Sequence, residues 1–544
     1  MTRKVRWLLI LLPIAILALA WVYAPAQTST PPAQATPPAQ ATPPAQATPP
    51  APAVAPDRKA YLDALAIKDP DKKLEALEKF LKDFPDSGGV LTGYMGIIDT
   101  LVKNHPDQTA RIREAADKAL SKATSDAMRA AYLNMLGTQL FDAGILLDEA
   151  EKFISKGIEL NDEQARKSRA PSQVTLGRIY LKQGKLNEAE KILKEAIAVN
   201  PQLPAASLGM AELYEKRGDA TKALTFYINA AAASKLPAAN RKQLEALYAK
   251  SHEGSTAGLE EMLDAKYLEV NPTPFSVEHY TPSEKRTDRV VLTEVFTGSG
   301  CPPCVAADLA ADLAMERYGR NMAVLMYHQH IPQPDPMTSN QTSARFKYYA
   351  GVGVPTLVID GATSPGGGGG RDATKSVYDR ITKEMEKHME AASMAQIKLD
   401  VLLDGSIVRA NAVVNQVAGE SPNLKLHIVL VEEKLRYTGE NGVRFHPMVV
   451  RSIAGPESGG QGFPITSKEP QTFAWDFKLD AISAEIKKNL DDYEKGRTDG
   501  YTFNEKKYEI NPKDLIVVAF VQDEKTKAIF QSIQVKVNAK TDPQ

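Results

Sequence analysis

Val290-Val291-Leu292-Thr293-Glu294-Val295-Phe296-Thr297-Gly298-Ser299-Gly300-Cys301-Pro302-Pro303-Cys304-Val305 is the stretch on which the reading of this chain turns. The run up to Phe296 is β-branched and apolar and predicts a buried strand. Thr297 to Gly300 supplies a turn, and 301–318, with Leu309, Leu313 and Met315, predicts a helix. Its two cysteines are the only ones among 544 residues, and they stand three positions apart. A disulfide scaffold spreads its cysteines to close long loops, and so short a loop gains little from closure. A ribbon-type zinc site needs a second Cys-x-x-Cys, which the chain lacks. A redox-active dithiol at Cys301 and Cys304 is therefore the leading reading, ahead of a structural bridge and of a metal pair. For a metal pair the nearest imidazoles would be His328 and His330, which are expected in an exposed loop. No metal ligands are assigned, and no cofactor is expected beyond the Cys301–Cys304 disulfide itself.

Working outward, 322–327 reads as a second buried strand and 343–350 as a short helix. Gly353-Val354-Pro355-Thr356-Leu357-Val358-Ile359-Asp360-Gly361 opens a third strand, and 373–392 forms a closing helix. This order of strand, Cys-x-x-Cys helix, strand, helix, Pro-initiated strand and helix resembles the thioredoxin superfamily over about 281–392. Within it the chain looks similar to exported bacterial members with Phe-Thr-Gly before the dithiol, some of which carry a β-domain behind the thioredoxin unit. The resemblance implies a thiol–disulfide oxidoreductase. Cys301 would sit at the helix N-terminus, where free N–H groups and the helix dipole favour the attacking thiolate. Pro302 and Pro303 would fill the first turn, where a missing N–H costs nothing. Cys304 would resolve the mixed disulfide. Pro355 would be cis and, with Val354 and Gly300, would line the substrate surface. Gly300 departs from the family, which often has tryptophan there. Glu294 is the candidate proton-transfer carboxylate, expected near Cys304. The glycines 366–370 read as a flexible loop. They lack the Lys and Ser/Thr of a phosphate loop.

Ahead of this unit, 57–270 is helical and repetitive. Leu176-Gly177, Tyr180, Gly184, Ala189 and Leu193 are echoed thirty-four residues later by Met210-Ala211, Tyr214, Gly218, Ala223 and Tyr227. The spacing resembles the tetratricopeptide repeat, a stacked helix pair. Looser copies surround Leu136-Gly137 and Leu74, Leu77 and Phe80. Such arrays present a groove for protein partners; a spacer or dimerisation platform is the alternative.

The first residues place Arg3, Lys4 and Arg6 before an apolar run, the order of an export signal. Both a cleaved signal and an uncleaved membrane anchor are consistent with residues 1–27, and either puts the folded part in the bacterial envelope, on the periplasmic side. Residues 28–56 form a linker that repeats Thr-Pro-Pro-Ala-Gln-Ala from Thr30. As polyproline II its 31–56 part would be a spacer reaching about 80 Å, and a solvated linker of no selected length is the alternative. After 395 the pattern alternates with period two, and an immunoglobulin-like antiparallel sandwich is expected over 395–544. His446 and Trp475 receive no role. A net charge of −1 gives no sign of nucleic-acid binding.

The expected molecule is thus multidomain: signal or anchor (1–27), linker (28–56), tetratricopeptide-like repeats (57–270), an α/β thioredoxin-like domain (271–394) and a β-sandwich (395–544). Its expected partners are exported cysteine-containing proteins, proteins docked on the repeat groove, and the membrane if the N-terminus is retained. The rival reading is an envelope scaffold in which the thioredoxin-like unit is a further binding module.

Overall fold

Leu193 shows why the repeat needs its glycines. A Cβ on Gly177 would lie 2.6 Å from Leu193 Cγ, and one on Gly209 would lie 2.8 Å from its Cδ2. The fully buried leucine is gripped by the bare backbones of two helices. In a computed structural model, which describes residues 55–160, 166–201, 203–284, 288–364, 366–419, 422–455, 462–466 and 469–539, such helix pairs run from Pro56 to Val270. The helices are α1 (Pro56–Ala66), α2 (Pro70–Asp83), α3 (Val90–Asn104), α4 (Thr109–Ser121), α5 (Asp126–Ala143), α6 (Leu147–Leu160), α7 (Arg166–Gln183), α8 (Leu186–Val199), α9 (Pro204–Lys216), α10 (Ala220–Ala233), α11 (Ala238–Ser251) and α12 (Leu259–Val270). Side chains of Asp69, Ser125 and Asp219 cap α2, α5 and α10 by accepting first-turn N–H groups. Gly184 and Gly218, at φ 77° and 76°, make the left-handed turns inside two pairs. Successive apolar cores link each pair to the next, so the helical region is a tetratricopeptide-like array.

The predicted strand at the dithiol is β1 (Val291–Thr297), followed by α13 (Val305–Tyr318) and β2 (Met322–His328). Then come α14 (Asn340–Tyr348), β3 (Thr356–Ile359), β4 (Ala362–Ser364) and α15 (Thr374–Met389). Strand β1 pairs parallel with β2 and antiparallel with β3, and β3 pairs antiparallel with β4.

Beyond residue 395 the structure departs from a free-standing sandwich. Strands β5 (Gln396–Asp404) and β6 (Ile407–Asn415) form the expected hairpin. They join β10 (Gln471–Lys478) and β13 (Asn538–Ala539) in a separate small sheet. Strands β7 (Leu424–Arg436), β8 (Phe445–Ile453), β11 (Leu515–Asp523) and β12 (Ile529–Lys536), with the two-residue β9 (Phe463–Pro464) at the side of β7, instead continue the sheet of β1–β4. The full order is β12-β11-β7-β8-β2-β1-β3-β4. The joint is a parallel contact of β8 with β2 at Val449 and Met326.

Period-two alternation explains the sharing. Leu426, Ile428 and Leu430 of β7 face the core of the small sheet and of α16 (Leu479–Gly496). Val429 and Val431 face the core of β1–β3. Strand β11 divides its residues in the same way. Two packed layers exist as expected, but one of them belongs to both halves. Among the described residues no helix is long and apolar enough to cross a membrane. The signal or anchor and the proline-rich spacer lie outside the described residues.

Candidate functional site

Strand β1 ends at Thr297 and delivers the chain into a turn closed by Cys301 N–H donating to Gly298 O (3.0 Å). Cys301 is extended, Pro302–Cys304 is a single 3-10 turn, and α13 begins at Val305. The two prolines occupy the first turn, as their fixed φ favours. Cys301 and Cys304 are joined by a disulfide. Both are buried, Cys301 at 1% exposure and Cys304 at 0%, while Pro302 and Pro303 face solvent.

The Val354–Pro355 peptide is cis, and Val354 O lies 3.8 Å from Cys301 Sγ. Of the residues singled out from sequence, Cys301, Cys304, Val354, Pro355 and Gly300 therefore come together. A side chain at Gly300 would meet Gln333, its Cβ only 2.7 Å from the Gln333 Cβ, which accounts for glycine at that position. The glycine run read as a flexible loop is held against the dithiol helix. Gly369 N–H donates to Pro303 O (2.8 Å), and Ala306 N–H donates to Gly369 O (3.0 Å).

Glu294 is not beside Cys304. Thr297 looks toward Asp308 on α13, and side chains alternate along β1, so Glu294 emerges on the opposite face. There it accepts two hydrogen bonds from Arg345 of α14 (2.7 and 3.0 Å) and one from Tyr349 (2.6 Å). The buried guanidinium holds its proton more tightly than usual against that carboxylate.

The carboxyl on the dithiol's side is Asp308. It lies four residues beyond Cys304, a spacing that keeps both on one helix face. Burial pushes it up to about 7, against smaller opposing effects of Thr297 and His328 and a reinforcing one of Asp335. Its Oδ1 has no hydrogen-bond partner within the protein. A polar cluster adjoins it. His328 Nδ1 is 2.9 Å from Asp335 Oδ2, which also accepts from Ser299 N–H of the dithiol turn (2.6 Å). Burial opposes the charge on Asp335. His328 and the N–H groups of Ser299 and Met337 nevertheless hold it well below the carboxylate range. His446 stands edge-on to His328, its Nε2 2.9 Å from Tyr437 O, and burial pushes it down to about 3. His328 is thus a buried strand residue rather than a loop residue, and His330 stacks on Tyr493. The signal for Asp308 was present in Ala306-Ala307-Asp308-Leu309-Ala310-Ala311. An acid with apolar residues all round its helix is a buried acid.

A second residue missed from sequence is Asn441, between β7 and β8. Its backbone N–H donates to Ser299 O (3.0 Å), and its amide donates to Gly298 O (3.3 Å) and Cys301 O (3.4 Å). Asn441-Gly442 reads as a hairpin turn, but nothing in the sequence says what that turn covers.

Residues 176–250 match the family model of the tetratricopeptide repeat. No curated protein matches the chain. Among solved structures it is similar to HBP35 of Porphyromonas gingivalis, at 17% identity and a TM-score of 0.33, over 47% of this chain and 78% of that one. It is also similar to pilF of Pseudomonas aeruginosa, at 19% identity and a TM-score of 0.29, over 40% and 92% of the two chains. A third similarity is to YrrB, described as a TPR protein with an unusual peptide-binding site, at 18% identity and a TM-score of 0.27, over 36% and 91%. By the family match, residues 176–250 of the helical part carry tetratricopeptide repeats; arrays of such repeats commonly bind protein or peptide partners.

Proposed function

We propose that the chain is a thioredoxin-like thiol–disulfide oxidoreductase of the bacterial envelope, exchanging its Cys301–Cys304 disulfide with cysteines of proteins held by the helical array. One observation carries the reading. The chain's only two cysteines are bonded at the start of a helix, and Cys301 Sγ lies 3.8 Å from Val354 O, the carbonyl just before Pro355. The strand order β2-β1-β3-β4, with only β1 and β2 parallel, supports it. The basic-then-apolar N-terminus is the ground for an exported location.

In the exchange a client thiolate attacks Cys301 Sγ, and the bond to Cys304 breaks. Cys304 leaves as a thiolate, and protonated Asp308, one helical turn further along, is the proton source assigned to it. A second client thiolate then attacks the client sulfur of the mixed disulfide and frees Cys301. Two electrons pass from the client dithiol to the protein disulfide, and the two thiol protons pass to the protein and solvent. The reverse sequence reduces a client.

A second reading, an interaction scaffold, is favoured by the family match, which lies wholly in the array, and by the burial of both sulfurs. Insulin reduction with dithiothreitol as recycling reductant separates the two. The oxidoreductase accelerates it, and the double Cys301→Ser, Cys304→Ser variant does not. Equal rates for both proteins would leave the scaffold.

A further inference from the structure

A client thiolate cannot reach Cys301 in the form described, because the residue is 1% exposed. Two segments lie over the Gly298–Cys301 turn: the one carrying Gln333 and the loop between β7 and β8. The second has an additional attachment. Lys235, just beyond α10 of the helical array, donates from its backbone N–H to Gly439 O (3.2 Å). Its ammonium reaches Glu440 Oε1 and Tyr437 Oη, both at 2.7 Å. Ser234 Oγ donates to Glu440 O (3.2 Å). At the far end of the loop, the buried Arg444 donates to Asp264 (2.6 Å) and Glu260 (2.6 Å) of α12.

The same few residues therefore touch the array on one side and the dithiol turn on the other. Asn441 and Gly439 face the turn. Gly439 is packed so closely on Ser299 O that a Cβ there would overlap it. Glu440 and Arg444 face the array.

We infer that the loop 437–444 is a lid over the Cys301 turn and that the last helices of the array are its latch. Displacement of the Lys235–Glu440 contact by a protein docked on those helices frees Asn441 from the turn and opens the disulfide to attack. The inference rests on the exchange reading above and adds its control. The latch is breakable because the pair is part-exposed, with 41% of the Glu440 side chain open to water, and contacts of that kind are individually weak. By contrast, the Arg444 anchor, with a side chain 3% exposed, keeps the loop attached while its tip moves.

The test is the rate at which dithiothreitol reduces the disulfide of the full chain at pH 7, read by alkylation and mass. Glu440→Gln removes a solvent-facing carboxylate, and Asn441→Ala removes the clamp on the turn; together they are expected to raise the rate tenfold or more. Arg371→Ala breaks a different contact with the array, at Tyr267 of α12, together with one to Pro272 O just beyond it, and is expected to leave the rate unchanged. Circular dichroism checks that each variant keeps its fold. A double variant no faster than the parent overturns the lid. So does a parent that reacts as fast as the urea-unfolded chain, a comparison that needs no variant to fold. The two proposals fail separately. Faster reduction in the variant with no insulin turnover by any form keeps the lid and overturns the exchange reading. Unchanged reduction with insulin turnover intact overturns the lid alone.

Discussion

Asp308 is a carboxyl shut away from water, and its proton affinity follows from that. Raised to about 7 from an ordinary 3.8, it keeps a proton in the folded protein at pH values where the unfolded chain has released one. The folded state then binds more protons than the unfolded one across that interval, so stability falls as pH rises from about 4 to about 7. A side-chain amide at this position has nothing to titrate. Asp308→Asn is therefore expected to gain stability over the parent above pH 7, by on the order of a few kcal/mol, and to lose that advantage near pH 4. Urea unfolding of the two oxidised proteins at pH 4 and pH 8 measures it. The same difference at both values would mean that Asp308 titrates as an exposed acid. Glu294 shows the limit of sequence at this scale. As the one acid in β1 it invited a catalytic role, but strand parity turned it toward Arg345, a partner 51 residues away that local sequence cannot announce.

At the scale of elements, regular periods were legible and pairings were not. Gly184 and Gly218, with Ala189 and Ala223 behind them, announced helix pairs because each position has a local steric duty. Strand β1, the Cys-x-x-Cys helix and the strand opened by Val354-Pro355 were legible for the same reason. Strand β8 was missed. Its residues include His446, Pro447 and Arg451, and a proline within a run argues against a strand. Yet β8 joins the two halves of the large sheet through β2 and β7. Strands β7 and β11 were seen, but their near-continuous apolar runs mark burial on both faces, which a sandwich open to solvent does not need. A consequence follows for fragments. Cut away from β1–β3, residues 395–539 would expose Val429, Val431, Ile516, Val518 and Phe520. At about 1.5–3 kcal/mol per side chain the loss is on the order of 10 kcal/mol. That equals the whole stability of a typical domain. The fragment 395–539 is expected to show no cooperative urea transition, whereas 271–539 unfolds cooperatively. A cooperative transition in the shorter piece would mean that the shared sheet is not needed.

At the scale of the whole molecule, the composition and the order of parts were readable, but their contact was not. A helical array and a β-rich remainder could be laid along the chain from periodicity, and the dithiol unit between them from its Cys-x-x-Cys and Val354-Pro355 motifs. That the last helices of the array reach the loop over Cys301 is a property of tertiary placement, written only in exposed charges such as Lys235 and Glu440 that read as ordinary surface. The central claim is that Cys301 is the sulfur that bonds to the client and that Cys304 is the sulfur that leaves it or, in the reverse direction, displaces the client from it. Its most direct measurement is the fate of a chain in which only the resolving thiol is missing. Cys304→Ser, expressed with its N-terminus intact and recovered under acid quench, is expected to carry other proteins as mixed disulfides on Cys301, released by reductant and absent from Cys301→Ser. Recovery of Cys304→Ser as a free thiol, with no reductant-sensitive adduct, would contradict the account.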